Sequence, residues 1–273
     1  MEPRETFDSP YPIVGMVHLP ALPGAQGYDG PRSRIQDRAI EDARTLADGG
    51  VDAVLVENFG DAPFYPEEVP PHVVAEMTAI TAAVGDAVDL PIGVNVLRND
   101  AAAALSVAAA AGVAFVRVNV HVGVAATDQG LLEGRAHETL RLRERIDASV
   151  AILADVHVKH ATPLDDATVE ERARETVDRG KADGLIVSGP GTGEGTDPAT
   201  VERVAAAAAD LERDVPLFVG SGVHPGTVRS HRAAGADGLI VGTALKSEGL
   251  TTNPVSLDAV RVLIEARDAC IDD

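Results

Sequence analysis

The stretch "ADVHVKH", residues 154–160, sets three groups that carry protons or charge two positions apart: Asp155, His157 and Lys159. In an extended strand alternate side chains share a face. An acid, an imidazole and an amine would then line one side, with Ala154, Val156 and Val158 on the other. Such a row suits proton transfer next to a carbonyl carbon. An amine whose pKa is lowered by burial can also polarise a carbonyl or form a Schiff base. Other apolar runs end in the same polar way. His18 closes "GMVH", Glu57 and Asn58 close "VLVEN", Asn95 stands in "GVNV", and Arg117 and Asn119 sit two apart in "RVN". Asp155, His157, Lys159, Glu57 and His18 are the catalytic candidates. Asn58, Asn95, Arg117, Asn119, Asp128, His160 and Ser188 are the substrate-binding candidates, of which Arg117, Asn95 and Asn119 would hold hydroxyls or a developing oxyanion. The competing reading is a static ion-pair network, because buried charges are costly unless paired. Polar groups converging from five strands favour a site.

Two glycine-rich turns suggest an anion cradle. Gly220, Ser221 and Gly222 lie in "VGSGVHPGT", and Gly242, Thr243 and Lys246 lie in "VGTALKSEG". Glycine lets backbone N–H groups come close to a phosphate, and Lys246 would supply a countercharge. The loop "SGPGTGEGTD" at 188–197 adds backbone donors but is neither a P-loop nor a dinucleotide fingerprint, since Glu194 stands where the third glycine belongs. Asp155, His157, Glu57 and His18 would also make a mixed oxygen and nitrogen set for a divalent metal. No His-x-His or His-Glu-x-x-His signature supports that option, and no other cofactor is implied.

These residues need a frame. Eight β-rich runs (12–19, 51–58, 90–97, 114–120, 150–158, 182–189, 215–222 and 236–243) alternate with eight helix-forming segments (33–48, 71–84, 100–111, 134–146, 168–179, 198–211, 226–234 and 256–269). Strict alternation argues for parallel βαβ units. Eight units in a chain of 273 residues predict a closed (β/α)₈ TIM barrel in the α/β class, one domain with an extended N-terminal stretch of about 11 residues. Returns from helix to strand are short, whereas several strand-to-helix loops are long. The active face is therefore predicted at the C-terminal ends of the strands.

Composition narrows the partners. Asp plus Glu total 43 against 23 Lys plus Arg, a net charge of −20, which excludes a general polyanion binder. Only three lysines occur, a pattern that fits adaptation to concentrated salt. No apolar run is long enough to span a membrane, and the N-terminus has no secretory pattern. The single cysteine, Cys270, allows no disulfide within the chain. The expectations are a cytoplasmic location, a small-molecule ligand, no nucleic acid, no integral membrane segment and a homo-oligomer.

"GMVHLPALPG", "VENFGDAPF", "NVLRND", "RVNV", "TDQG", "ADVHVKHA" and "GSG", in this order, resemble the BtpA/SgcQ family over about residues 12–265. The resemblance implies a ribulose-phosphate-binding type of barrel. The family takes its name from photosystem I biogenesis, and some members carry the label phosphoribosylanthranilate isomerase. Such isomerases use a Cys at the end of the first strand and an Asp on the fifth. Asp155 matches the second position, but the first strand here ends in "GMVHL", with no Cys, so His18 or another group would have to replace the base. The resulting expectation is an enzyme acting on a small phosphorylated sugar or related phosphate ester, as isomerase, epimerase or aldolase-type lyase. The alternatives are a non-enzymatic assembly factor for a membrane complex and a metal-dependent hydrolase.

Overall fold

The structure is a computed structural model and describes residues 6–7 and 9–271. Eight strands close a parallel barrel: β1 (Ile13–His18), β2 (Ala53–Glu57), β3 (Ile92–Asn95), β4 (Phe115–Val118), β7 (Ala151–His157), β9 (Gly184–Val187), β10 (Leu217–Val219) and β11 (Gly238–Val241). Helices return the chain after each: α1 (Arg32–Gly49), α2 (Pro71–Ala87), α3 (Ala101–Ala111), α4 (Ala136–Arg145), α5 (Val169–Asp178), α6 (Pro198–Ala209), α7 (Val228–Ala233) and α8 (Leu257–Ile271). Each predicted run contains its observed strand.

Alternation along the strands splits the core in two. Outward residues such as Val54, Val56, Val116 and Ile152 pack against the helices. Inward residues Val14, Met16, Leu55, Phe115, Leu153, Ile186, Phe218 and Ile240 fill the barrel. Gly93 and Gly238 sit under Phe115 and Phe218, whose rings would lie 2.2 and 2.5 Å from an added Cβ, so glycine here makes room for the two large rings. Phe7 closes the N-terminal end, edge-on to Phe115 at 5.6 Å and to Phe218 at 5.3 Å between ring centres. Residues 1–5 and 8 of the stretch expected to be extended lie outside the described residues. The inward residues turn polar above this apolar plug, toward the C-terminal ends of the strands.

One element differs from the sequence expectation. The segment after β4, read as a loop, folds into a hairpin of β5 (Val124–Thr127) and β6 (Gly130–Glu133) around Asp128-Gln129. A third strand, β8 (Thr162–Pro163), pairs with β5 from the segment after β7. This small antiparallel sheet seats Ala125 and Leu132 on Val120 and Val158, and so roofs part of the mouth. Each strand is only four residues or fewer, with Gly130 at φ +118°, which hid the alternation among turn residues. Among the described residues no helix is long and apolar enough to cross a membrane.

Candidate functional site

The barrel register builds the site row by row. His18 pairs opposite Glu57, and Glu57 opposite Asn95. All three point inward by parity, one layer above the apolar plug. Arg117 and Asp155 face each other across the next two strands. Arg117 donates from Nε to Asp155 Oδ2 at 2.9 Å and from Nη2 to Oδ1 at 2.8 Å. Asp155 also accepts from Asn119 Nδ2 at 3.2 Å and Ser188 Oγ at 3.0 Å, and Asn95 donates to Asn119 Oδ1 at 3.1 Å. Burial opposes the charge of Arg117, but the Asp155 charge and its hydrogen bonds outweigh that cost and hold the guanidinium pKa above its usual value.

Lys159 follows this network into the mouth. It lines one cavity of about 150 Å³ together with His18, Arg117, Thr192, Gly193, Gly220, Ser221, Gly222, Gly242 and Thr243. Its amine takes no ion pair or hydrogen bond among the described residues. Burial first, and then the Arg117 charge, press its pKa below the ordinary lysine value. His18 lies 3.8 Å from Glu57 Oε1 and stacks on Phe59 at 4.7 Å. Burial, together with the Lys246 and Lys159 charges, pushes its pKa well below the usual imidazole value, so it is neutral at neutral pH.

The glycines of the cradle have steric reasons. An added Cβ on Gly242 would meet His18 Cε1 at 2.8 Å, and one on Gly220 would meet Ile186 at 2.7 Å and Ser188 Oγ at 3.1 Å. Gly222 has φ +63° and its Cβ would strike the Glu194 carbonyl at 2.4 Å. Ser221 spends its hydroxyl on the Gly191 and Glu194 carbonyls at 2.8 and 3.0 Å, tying the loop after β9 to the loop after β10.

Several sequence candidates lie elsewhere. A β-bulge falls between Asp155 and His157. It breaks the two-residue alternation, and His157 lies against the α5 side, where its nearest charges are Arg172, Asp165 and Arg203. The row of three expected on one face is thus a pair, Asp155 and Lys159. Lys246 is not in the cradle: its Nζ donates to the Met16 carbonyl at 3.0 Å and to Asp42 at 3.4 Å, behind β1. Asn58 is structural, bridging the Leu97 backbone and Asp61. His160 is exposed at the rim, where its Nε2 meets Thr192 Oγ1 at 3.0 Å. Asp128 is exposed at the hairpin tip. Among the described residues no three His, Cys, Asp or Glu side chains group to hold a metal; Asp155 is taken by Arg117 and His157 faces away. A larger cleft of about 350 Å³ outside the barrel, between α3 and α4, is lined by mutually paired groups such as Arg135 and Glu67 at 3.1 Å.

Arg98 is the residue that sequence reasoning missed. It enters from the loop after β3 and donates to the Lys159 carbonyl at 2.8 Å. Its place three residues beyond Asn95, as the sole cation of "NVLRND", was the available signal.

A (β/α)₈ barrel with its polar groups and glycine loops at the strand C-terminal mouth defines the class. The BtpA family profile matches residues 10–269, and the chain belongs to the BtpA family. It is 43% identical over 266 residues to the Photosystem I biogenesis protein BtpA of Synechocystis sp., covering 97% of this chain and 91% of that protein. It is 46% identical over 254 residues to an uncharacterized protein of Thermococcus kodakarensis, with 93% and 94% covered. The putative sgc region protein SgcQ of Escherichia coli also matches, at 31% identity over 265 residues and 96% of each chain. Among solved structures, thiamine phosphate pyrophosphorylase from Pyrococcus furiosus superposes with a TM-score of 0.60 at 14% identity, over 96% of this chain and 97% of that one. N-(5'-phosphoribosyl)anthranilate isomerase from the same organism gives 0.56 at 12% identity, over 95% and 100%. At these identities the structures share the fold.

Proposed function

We propose that this chain is an enzyme that acts on a small phosphorylated sugar or related phosphate ester. The phosphoryl group would rest on the backbone N–H groups of the Gly220–Gly222 and Gly242–Thr243 turns. The observation that carries the reading is the unpaired, half-buried Lys159 amine sharing one cavity with those turns. An ammonium drawn partly out of water, with Glu57 and Asp155 acting on it only from beyond ion-pair distance, favours a ligand that supplies a countercharge or a reaction of the amine itself.

Two chemistries fit this arrangement. In the isomerase or epimerase form, Lys159 polarises the substrate carbonyl. Glu57 removes a proton from the adjacent carbon and returns it to a neighbouring atom, with neutral His18 beside it. In the aldolase-type form, the Lys159 amine adds to the carbonyl carbon and the carbonyl oxygen leaves as water, giving an iminium that draws electrons from the neighbouring C–C bond. Asp155 takes a holding role in both, because its oxygens are engaged by Arg117, Asn119 and Ser188. That engagement speaks against Asp155 as the mobile acid of a phosphoribosylanthranilate isomerase. The name of the Synechocystis relative, a photosystem I biogenesis protein, supports a second reading, assembly of a membrane complex.

A thermal-shift panel of sugar phosphates, each beside its dephosphorylated sugar, tests the first reading, since a ligand of the folded state raises the melting temperature. The expected result is a shift with a phosphorylated compound only, which Lys159→Met loses. Borohydride trapping of Lys159 with the active compound selects the lyase form. No shift with any phosphate, together with co-sedimentation with membranes, favours assembly.

A further inference from the structure

The mouth contains a second unpaired cation. Among the described residues five Lys and Arg side chains are buried: Arg98, Arg117, Arg172, Lys246 and Arg267. Four have carboxylate partners. Arg117 pairs with Asp155, Arg172 with Asp165 and Glu175, Lys246 with Asp42, and Arg267 with Asp52 and Asp268. Arg98, only 4% exposed, has none within 4.0 Å, the charges of Glu57, Asp128 and Asp155 acting on it from farther off and not offsetting its burial. Its guanidinium makes a single side-chain hydrogen bond, to the carbonyl of Lys159, and its Nε is buried without a partner. The other cation without a carboxylate at the mouth is Lys159 itself, so the two stand side by side.

A buried guanidinium offers a planar fork of donors, and leaving it without an anion is among the costlier arrangements a core can hold. The other four buried basic side chains among the described residues avoid that cost, in a chain whose acids outnumber basic residues 43 to 23. The cradle of Gly220–Gly222 and Gly242–Thr243 lies beyond Lys159, on strands β10 and β11, whereas Arg98 comes from the loop after β3. One small phosphate would be held by the cradle, leaving the guanidinium still unmatched.

We propose that Arg98 forms a second anion subsite across the mouth from the glycine cradle, and that it takes a carboxylate of the substrate. The substrate class becomes a phosphate ester that also carries an acid, with the carboxylate next to the carbon that Lys159 addresses. This deepens the proposed function and rests on that reading, with Arg98 joined to the cavity through the Lys159 backbone carbonyl it holds rather than lining it.

Calorimetric titration separates the two ideas. The probes are 3-phosphoglycerate (phosphate and carboxylate), glycerol 3-phosphate (phosphate alone) and pyruvate (carboxylate alone), applied to the wild-type chain and to Arg98→Gln. The expected result is that 3-phosphoglycerate binds the wild type more tightly than glycerol 3-phosphate by roughly tenfold to hundredfold, the scale of a charge-assisted hydrogen bond. Arg98→Gln should erase that difference while leaving glycerol 3-phosphate affinity unchanged. Equal binding of both esters to the wild type overturns the subsite and leaves the phosphate cradle standing. An equal loss of both esters in Arg98→Gln assigns Arg98 to the phosphate and also overturns it. If neither ester binds, the cradle has failed; pyruvate binding that depends on Arg98 then keeps the subsite, and no pyruvate binding sinks it. Should Arg98→Gln fail to fold by circular dichroism, Arg98→Lys is read instead, with the ester difference expected to shrink severalfold because the fork is lost.

Discussion

Asp155→Ala should unfold the barrel more readily than any other single truncation at the mouth. The Asp155 carboxylate accepts four hydrogen bonds: two from Arg117 at 2.8 and 2.9 Å, one from Asn119 at 3.2 Å and one from Ser188 at 3.0 Å. Removing it leaves the Arg117 guanidinium, 2% exposed, with no countercharge within hydrogen-bond reach. Breaking one side of a buried pair costs about 3–5 kcal/mol, against a total stability on the order of 5–15 kcal/mol for a folded domain. Replacing both partners with apolar residues of similar volume removes the orphaned charge, so Arg117→Met with Asp155→Leu should recover most of the loss. The assay is urea unfolding followed by far-ultraviolet circular dichroism, comparing midpoints and slopes. The double variant should lie well above Asp155→Ala, with a coupling on the order of 1–3 kcal/mol. A cost below about 1 kcal/mol for Asp155→Ala, or a double variant no better than the single, would refute the holding role. Abolished turnover with unchanged stability in Asp155→Asn would return Asp155 to proton transfer.

Three further outcomes follow from the packing. Gly222→Ala should destabilise by about 1–3 kcal/mol, since the new methyl would meet the Glu194 carbonyl at 2.4 Å in a left-handed backbone conformation, whereas Gly112→Ala, with open space around its Cβ, should cost only the backbone strain; thermal melts of the two compare them. Lys246 has its pKa lowered from 10.5 to about 8, first by burial, which Asp42 only partly offsets. Between those values the unfolded chain binds more protons than the folded one, so stability rises with pH, by about 3 kcal/mol in all. Unfolding free energies of wild type minus Lys246→Met should climb across that window, and a flat difference contradicts the assignment. The net charge of −20 predicts that the melting temperature climbs with KCl from about 0.1 M to about 1 M, as the Debye length shrinks from about 10 to about 3 Å; a melting temperature indifferent to salt argues against adaptation to high salt.

The parts of this molecule that sequence exposes are those set by periodicity. Apolar runs separated by Ala- and Glu-rich segments mark the strands and helices within a few residues. Inward parity brings out His18, Glu57, Asn95, Arg117 and Asp155 because each lies on a strand that keeps its alternation up to that residue. His157 escapes that logic, since a bulge at Val156 breaks the alternation and no local residue type announces it. Lys246 misleads for a different reason. Its proximity to the glycine turn in sequence says nothing of the short 3₁₀ turn (Thr243–Leu245) that carries it behind β1 to Asp42, a residue 204 positions away. Arg98 is hidden because its partner atom is a backbone carbonyl, and the significance of the side chain lies in the carboxylate it lacks.

The most direct test of the central claim exploits the scarcity of lysine. With three lysines in the chain, reductive ¹³C-methylation gives a spectrum simple enough to assign by Lys159→Arg and Lys246→Met. Following the Lys159 methyl resonance against pH, with and without ribose 5-phosphate and with ribose as the control, reads both the amine and the cradle. The account predicts that Lys159 titrates below the ordinary lysine value and that its resonance moves with the phosphorylated sugar alone. A Lys159 that titrates like an exposed lysine, and that no phosphate ester disturbs, would contradict it.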